Sequence, residues 1–242
     1  MKRFADQGAV ITGAGSGMGR SLAAGLAAEG ARVCLVDRDE KSLAESVRLL
    51  GGPSPSVGSV LCDLTVDAEV SRMVQEAVRT LQRVDLLAHS AGAFRMGAIE
   101  SLPVAELDFQ YRVNTRAPYA LTQTLLPELR KSRGQVLFVN SSAGLAAGAK
   151  WGAYSATKAA LKMLADSLRA EVNADGIRVL SIFPGRTAGP MQEQIHRLEN
   201  RPYHADRLLQ PDSVAAMALD ALALPRTAEV TDVSIRPMMK SG

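Results

Sequence analysis

The sequence predicts an α/β chain folded as a doubly wound parallel sheet with helices on both faces. Two observations carry that expectation. Short runs rich in Val, Ile and Leu alternate with helical patterns over the whole length, which is how a sheet buried on both faces reads. The first run, Ala9-Val10-Ile11, passes through the glycine-rich stretch TGAGSGMG, Thr12 to Gly19, directly into a helical pattern marked by Leu22 and Leu26. Bare N–H groups and the positive end of a helix dipole then meet at one point, which suits a pyrophosphate.

Strands are expected near 8–12, 31–37, 58–62, 84–90, 134–140, 177–183 and 229–236. Helices fall between them at about 17–29, 40–50, 66–82, 103–131, 152–174 and 211–223. Two segments fit neither class. Gly51 to Gly58, rich in Gly, Pro and Ser, reads as a turn. Gly185 to Pro211 is too long for a routine connection, and such loops are usually functional, so residues 186–210 read as a substrate lid.

Composition sets the outer bounds. The 242 residues are 47% hydrophobic and 22% charged, enough for one large core, and a single domain over 1–242 is expected. No apolar run approaches the roughly 18 to 20 residues that span a bilayer. The N-terminal MKRFADQ runs into a strand without the apolar core of a signal peptide, so a soluble, cytoplasmic protein with no membrane partner is expected. Net charge is +3 from scattered basic residues, and aromatic residues are too few for base-stacking platforms, which argues against nucleic acid. Cys34 and Cys62 fall in strand candidates and form no C-x-x-C, so neither a disulfide framework nor a metal site is expected.

The spacing inside the cradle is informative. G-x-G-x-x-G fails, because the sixth position from Gly13 is Met18 and from Gly15 is Arg20. What fits is T-G-x-x-x-G-x-G. Gly13 would let the chain turn, Gly17 would let a ligand come close and Gly19 would let the helix sit on the strand, with Thr12, Gly15, Ser16 and Met18 completing the loop. This pattern resembles the short-chain dehydrogenase/reductase family. Matching motifs follow in family order from Thr12 to Met191, so the resemblance covers nearly the whole chain. It implies a Rossmann-type sheet of seven strands in the order 3-2-1-4-5-6-7 and a nicotinamide cofactor.

The second strand ends at Asp37, where an acidic residue accepts hydrogen bonds from both adenine-ribose hydroxyls and repels a 2′-phosphate, which favours NAD. Arg38 next door is the counter-argument, since it could embrace the 2′-phosphate of NADP. The resemblance assigns Asp63 to the adenine amino group with the Leu64 backbone nearby; alternatively Asp63 or Thr65 caps the next helix. The fourth strand ends in His89-Ser90-Ala91-Gly92, where relatives usually read N-N-A-G. Ser90, Ala91 and Gly92 keep the place beside the cofactor ribose, and His89 reads as structural.

Further along, Asn114 matches the family asparagine at a helix interruption, whose backbone carbonyl holds a water that feeds protons to the active-site lysine. Pro118 is consistent with a break, because it cannot bond the Asn114 carbonyl. The fifth strand ends in Asn140-Ser141-Ser142-Ala143-Gly144, and alignment of the glycine and of the distance to Tyr154 favours Ser141 over Ser142. Tyr154 and Lys158 lie four apart on one helical face. A nearby ammonium would lower the phenol's pKa and make Tyr154 a usable acid/base. The resemblance implies that Tyr154 exchanges the proton of the alcohol or carbonyl, Ser141 orients that oxygen and Lys158 also holds the nicotinamide ribose.

After the sixth strand, Pro184, Gly185 and Thr187 belong to the turn that backs the nicotinamide in relatives; a threonine common there is Gly189 here. Arg197, Arg201 and Arg207 on the lid are either its wet face or contacts for an acidic substrate. The reading is an NAD(H)-dependent oxidoreductase of small alcohols and ketones. An NADPH-dependent ketoreductase of 3-oxoacyl thioesters and a non-catalytic nucleotide-binding protein are the alternatives. Relatives usually assemble through the helices here at about 103–131 and 152–174, which implies a homo-oligomer, dimer or tetramer.

Overall fold

The computed structural model describes residues 2–54 and 56–238. Seven parallel strands form one sheet in the order β3-β2-β1-β4-β5-β6-β7. They are β1 Gly8–Thr12, β2 Arg32–Asp37, β3 Val57–Leu61, β4 Leu86–His89, β5 Gln135–Val139, β6 Arg178–Pro184 and β7 Asp232–Ile235. The helices are α1 Gly17–Ala28, α2 Glu40–Leu49, α3 Asp67–Leu81, α4 Val104–Tyr111, α5 Ala117–Ser132, α6 Gly152–Val172, α7 Pro190–Leu198 and α8 Pro211–Leu222.

Strand side chains alternate between two cores, as a period of two requires. Ala9, Ile11, Val33, Leu35, Leu137 and Ile182 face the core closed by α1 and α8. Val10, Cys34, Val36, Leu87, Val136 and Phe138 face the other, closed by α3, α5 and α6. β1, third in the order, is buried along its whole length, whereas the edge strands β3 and β7 are exposed at alternate residues. The chain reverses direction across the sheet between β1 and β4, which pair with each other, and a crevice opens at the carboxyl ends of strands at such a point.

Three expectations are corrected. The helix expected at 103–131 is continuous through Asn114, but its interruption takes the form of a π turn, Arg112–Arg116, between α4 and α5. Pro118, within the first turn of α5, brings no N–H for the Asn114 carbonyl, and the ladder widens rather than breaks. The last strand begins at Asp232, three residues later than expected at 229. The lid segment 186–210 contains α7, which buries Gln192, Ile195 and His196 along one face. In the turn 51–58, Pro55 lies outside the described residues, as do Met1 and residues 239–242 of the expected domain.

No helix among the described residues is long and apolar enough to cross a membrane.

Candidate active site

One cleft of about 430 Å³ runs along the carboxyl ends of the strands. At one end it is lined by Asp37, Arg38, Cys62, Asp63, Leu64 and Thr65, and at the other by Ser141, Ser142, Trp151 and Tyr154. Between them lie Gly13, Ser16, Gly17 and Met18 from the glycine turn, Ser90, Ala91 and Gly92 after β4, and Pro184, Gly185 and Thr187 after β6. Thr12, Gly15, Gly19, Asn114 and Lys158 sit behind this lining and support it.

The glycine turn is shaped by contacts that leave no room for side chains. A Cβ on Gly19 would collide with the Gly13 carbonyl oxygen, and one on Gly13 would lie 2.7 Å from the Ala91 nitrogen. Gly17 is different: it adopts φ +49° and faces open space. Ser16 precedes α1 without a side-chain cap, in contrast to Asp39, which accepts from the Ser42 N–H at the start of α2. The orphan N–H groups of α1 are therefore offered at the cleft, as an anion requires. Thr12 fastens the far wall, its hydroxyl accepting from the N–H groups of Ser90 and Ala91 at 3.1 and 3.2 Å.

Asp37 is tied down by the backbone. Its Oδ2 accepts from the Gly15 N–H at 2.9 Å and its Oδ1 from the Asp39 N–H at 3.0 Å. Arg20 closes the back of this turn by donating to the Gly15 carbonyl and to Ser46 Oγ. The Arg38 guanidinium lies over the Phe109 ring at 6.0 Å. Asp63 does not cap α3, and neither does Thr65; Val66 stands at that position. Instead Asp63 Oδ1 accepts from both the N–H and the hydroxyl of Thr65, an Asx turn. Burial works against its charge, but those two donors and Arg38 hold the carboxyl below its ordinary value.

At the other end Ser141 lies close enough to the Tyr154 phenol to act on its acidity, and its hydroxyl accepts the Ala143 N–H at 3.1 Å. Ser142 begins the short 3₁₀ turn Ser142–Gly144. Lys158 Nζ is 6.0 Å from the centre of the Tyr154 ring and donates to the Val139 carbonyl at 3.0 Å. The expected lowering of the phenol's pKa is not what this arrangement produces. Burial pushes Tyr154 up to about 12 despite Ser141, and the same burial brings Lys158 down to about 8. Phe94 and Trp151 meet the phenol ring edge-on at 5.1 and 6.1 Å, which accounts for the dry surroundings.

Asn114 is fully buried and staples two elements together. Its side chain accepts from the Ala93 N–H at 2.8 Å and donates to the Ala93 carbonyl at 2.9 Å and to Thr157 Oγ1 at 3.0 Å. His89 is buried too, stacked on Phe138 at 4.9 Å and bonded to Thr122 Oγ1 at 2.8 Å. Burial and the Lys158 charge push it down to about 3, so it is neutral and structural. Thr187 donates to the Gly185 carbonyl at 3.0 Å, while the Gly189 N–H donates to the Tyr203 phenol oxygen at 2.9 Å. Arg197, Arg201 and Arg207 are exposed and absent from the cleft wall.

Sequence reasoning missed part of the wall, namely Arg186, Gln192 and Ile195, together with Trp151, and the buried Phe94 packed behind Tyr154. The tryptophan alone carried a signal, being the single one in the chain and three residues before Tyr154. Cys34 and Cys62 are free thiols, pushed by burial up to about 12 and about 11. Among the described residues no group of three or more His, Cys, Asp or Glu side chains is placed to hold a metal.

Comparison with known proteins bears on the family and the fold. The family profile described as short chain dehydrogenase matches residues 7–200. An uncharacterized oxidoreductase of Staphylococcus saprophyticus is 32% identical over 240 residues, 98% of this chain and all of that protein. Levodione reductase superposes with a TM-score of 0.88 at 27% identity, covering 96% of this chain and 97% of its own. The 3-ketoacyl-(acyl-carrier-protein) reductase of Brucella melitensis, solved with NADH, gives 0.85 at 25% identity over 96% and 97%. With a glycine turn facing a helix end, a seven-stranded order shared with nucleotide-binding relatives and a profile match across most of its length, this chain is an oxidoreductase of the classical short-chain dehydrogenase/reductase family.

Proposed function

We propose that the protein transfers a hydride between NAD(H) and a secondary alcohol or ketone, with Ser141, Tyr154, Lys158 and Asn114 as the reacting site. The observation that carries this reading is that Ser141 and Tyr154 line one end of the same cleft that begins at Asp37. The residues present fit a dinucleotide: open space at Gly17, the uncapped start of α1 for the pyrophosphate and the Asp37 carboxylate for the adenine ribose. When bound, the nicotinamide supplies or takes the hydride.

Each residue then has a task. In reduction the Tyr154 phenol gives its proton to the carbonyl oxygen as that oxygen gains charge; a weakly acidic phenol in a dry site keeps this proton until then. Ser141 donates to the same oxygen and stabilises it. Lys158, brought to about 8, is charged at neutral pH and steadies the phenolate left behind. The Asn114 side chain holds Ala93 and Thr157, and with them the wall beside Lys158. Asp63 and Leu64 serve the adenine, and Thr187 with Pro184 and Gly185 the nicotinamide side.

The chain works as one domain over 1–242 with 186–210 as its lid, in the cytoplasm and as a homo-oligomer; exposed Val104, Tyr111, Tyr119 and Met163 on α4, α5 and α6 support assembly through those helices. An NADPH-dependent reading draws on Arg38, which lines the cleft one residue beyond Asp37. The test is a thermal-shift titration with NADH and NADPH, since a ligand at about a hundred times its Kd stabilises by roughly 2.7 kcal/mol. It is paired with NADH oxidation by a ketone panel. NADH should stabilise more than NADPH, and Tyr154→Phe should bind NADH yet lose at least about a hundredfold in turnover. Full turnover by Tyr154→Phe would end the acid/base assignment.

A further inference from the structure

The reacting end of the cleft has an electrostatic character that the family assignment does not supply. Among the described residues, the charged side chains lining the cleft are Asp37, Arg38 and Asp63 at the adenine end and Arg186 at the Tyr154 end. Arg186 is already engaged. Its two terminal nitrogens donate to both carboxylate oxygens of Glu199, at 2.8 and 2.7 Å. Both side chains are largely withdrawn from solvent, 25% and 14% exposed, and the guanidinium lies over the Trp151 ring at 5.5 Å. Hydrogen bonding from Arg186, with the charge of Arg201 nearby, holds the Glu199 carboxyl below its ordinary value, so the pair carries one charge of each sign.

The rest of that end carries no charged lining residue: Asn140, Ser141, Ser142 and Gln192 are neutral, and they stand beside an aromatic and aliphatic cluster. Phe94, Trp151 and Tyr154 meet edge to face at 4.9 to 6.1 Å, with Ile195 packed among them. Met191 stands across the cleft, its methyl group 3.7 Å from where a Cβ of Gly92 would be. An anion entering this space would lose its hydration and find the cation committed in bidentate geometry to another carboxylate. A neutral hydrocarbon framework would replace water against aromatic faces.

Building on the hydride-transfer reading above, we propose that the substrates are neutral, apolar carbonyl compounds or their alcohols, and that the Arg186–Glu199 pair turns away those bearing a carboxylate. Glu199 acts as a positioning residue: it reaches the substrate only by occupying Arg186.

The test uses matched ketones and NADH: acetophenone against 4-acetylbenzoate, and cyclohexanone against 4-oxocyclohexanecarboxylate. The neutral member of each pair should show a kcat/KM at least tenfold higher. Glu199→Gln should move that ratio about tenfold toward the carboxylate, because the Arg186 charge is then uncompensated. Adding Arg186→Met should restore the preference for the neutral member, which separates charge from any loosening of α7. Equal or better turnover of the carboxylates by the unaltered enzyme overturns the proposal, as does a ratio that Glu199→Gln leaves in place. NADH binding with no ketone of either kind reduced overturns the hydride-transfer reading itself, and this inference with it.

Discussion

The Asp37 carboxylate, on the last residue of β2, accepts the N–H of Gly15 at 2.9 Å and thereby joins the second strand to the glycine turn of the first. One group thus shapes the pyrophosphate turn and stands where an adenine ribose is expected. Asp37→Ser is expected to raise the Kd for NADH at least tenfold, about 1.4 kcal/mol, in a fluorescence titration. The NADPH Kd should change less, because Arg38 stays in place. Equal losses for both would show that Asp37 shapes the turn without choosing the cofactor.

Gly17 and Gly19 should respond differently to the same change. Alanine at Gly17 has room but must hold φ +49°, at a cost of about 1–2 kcal/mol, and its methyl enters the space facing the ligand. A folded Gly17→Ala protein that NADH no longer stabilises is expected in thermal shift. Gly19→Ala pushes on the Gly13 carbonyl and should lower the melting temperature with or without NADH.

His89 should govern part of the acid limb of stability. The unfolded chain protonates this histidine near its ordinary 6.5, whereas the folded chain resists down to about 3. The unfolded state therefore carries more protons across that window, and stability falls as pH drops from 6.5 toward 3. His89→Asn should flatten the urea-unfolding profile over this range. An unchanged slope would mean that the acid sensitivity arises elsewhere.

Lys158 acts at the other end of the scale. Unfolded, it keeps its proton to about 10.5; folded, it releases it near 8, so stability rises with pH between these values by about 3 kcal/mol in total. Tyr154, held up at about 12 from 10, reverses the trend above pH 10. Lys158→Met should remove the rise between pH 8 and 10, read by chemical denaturation.

Much of this was legible in the residues. The strand order followed from a family-like spacing of glycines, and the two-faced sheet from uninterrupted Val, Ile and Leu runs whose alternate members fill separate cores. Asn114 and Pro118 announced a local irregularity, although periodicity could not distinguish a break from a π turn, since both disturb the same carbonyl. What stayed hidden depended on distant pairing. Arg186 and Glu199 are thirteen residues apart and pair only because α7 folds back over the cleft. A lysine on its own helix predicts a depressed Tyr154 phenol; burial reverses that, and part of the packing around the ring, Phe94, comes from another loop.

The π turn at 112–116 makes chain length itself a constrained quantity. It is a surplus residue in the ladder, and Thr115 from that turn donates to the Thr157 carbonyl at 3.0 Å while Asn114 holds Thr157 Oγ1. Each residue of an α-helix turns it by about 100°. Removing one residue from this stretch would heal the ladder into one regular helix, and the wide turn that presents Asn114 and Thr115 to Thr157 would be gone even if every remaining side chain were kept. Substitutions here alter one contact; a single-codon deletion removes the turn that makes all of them.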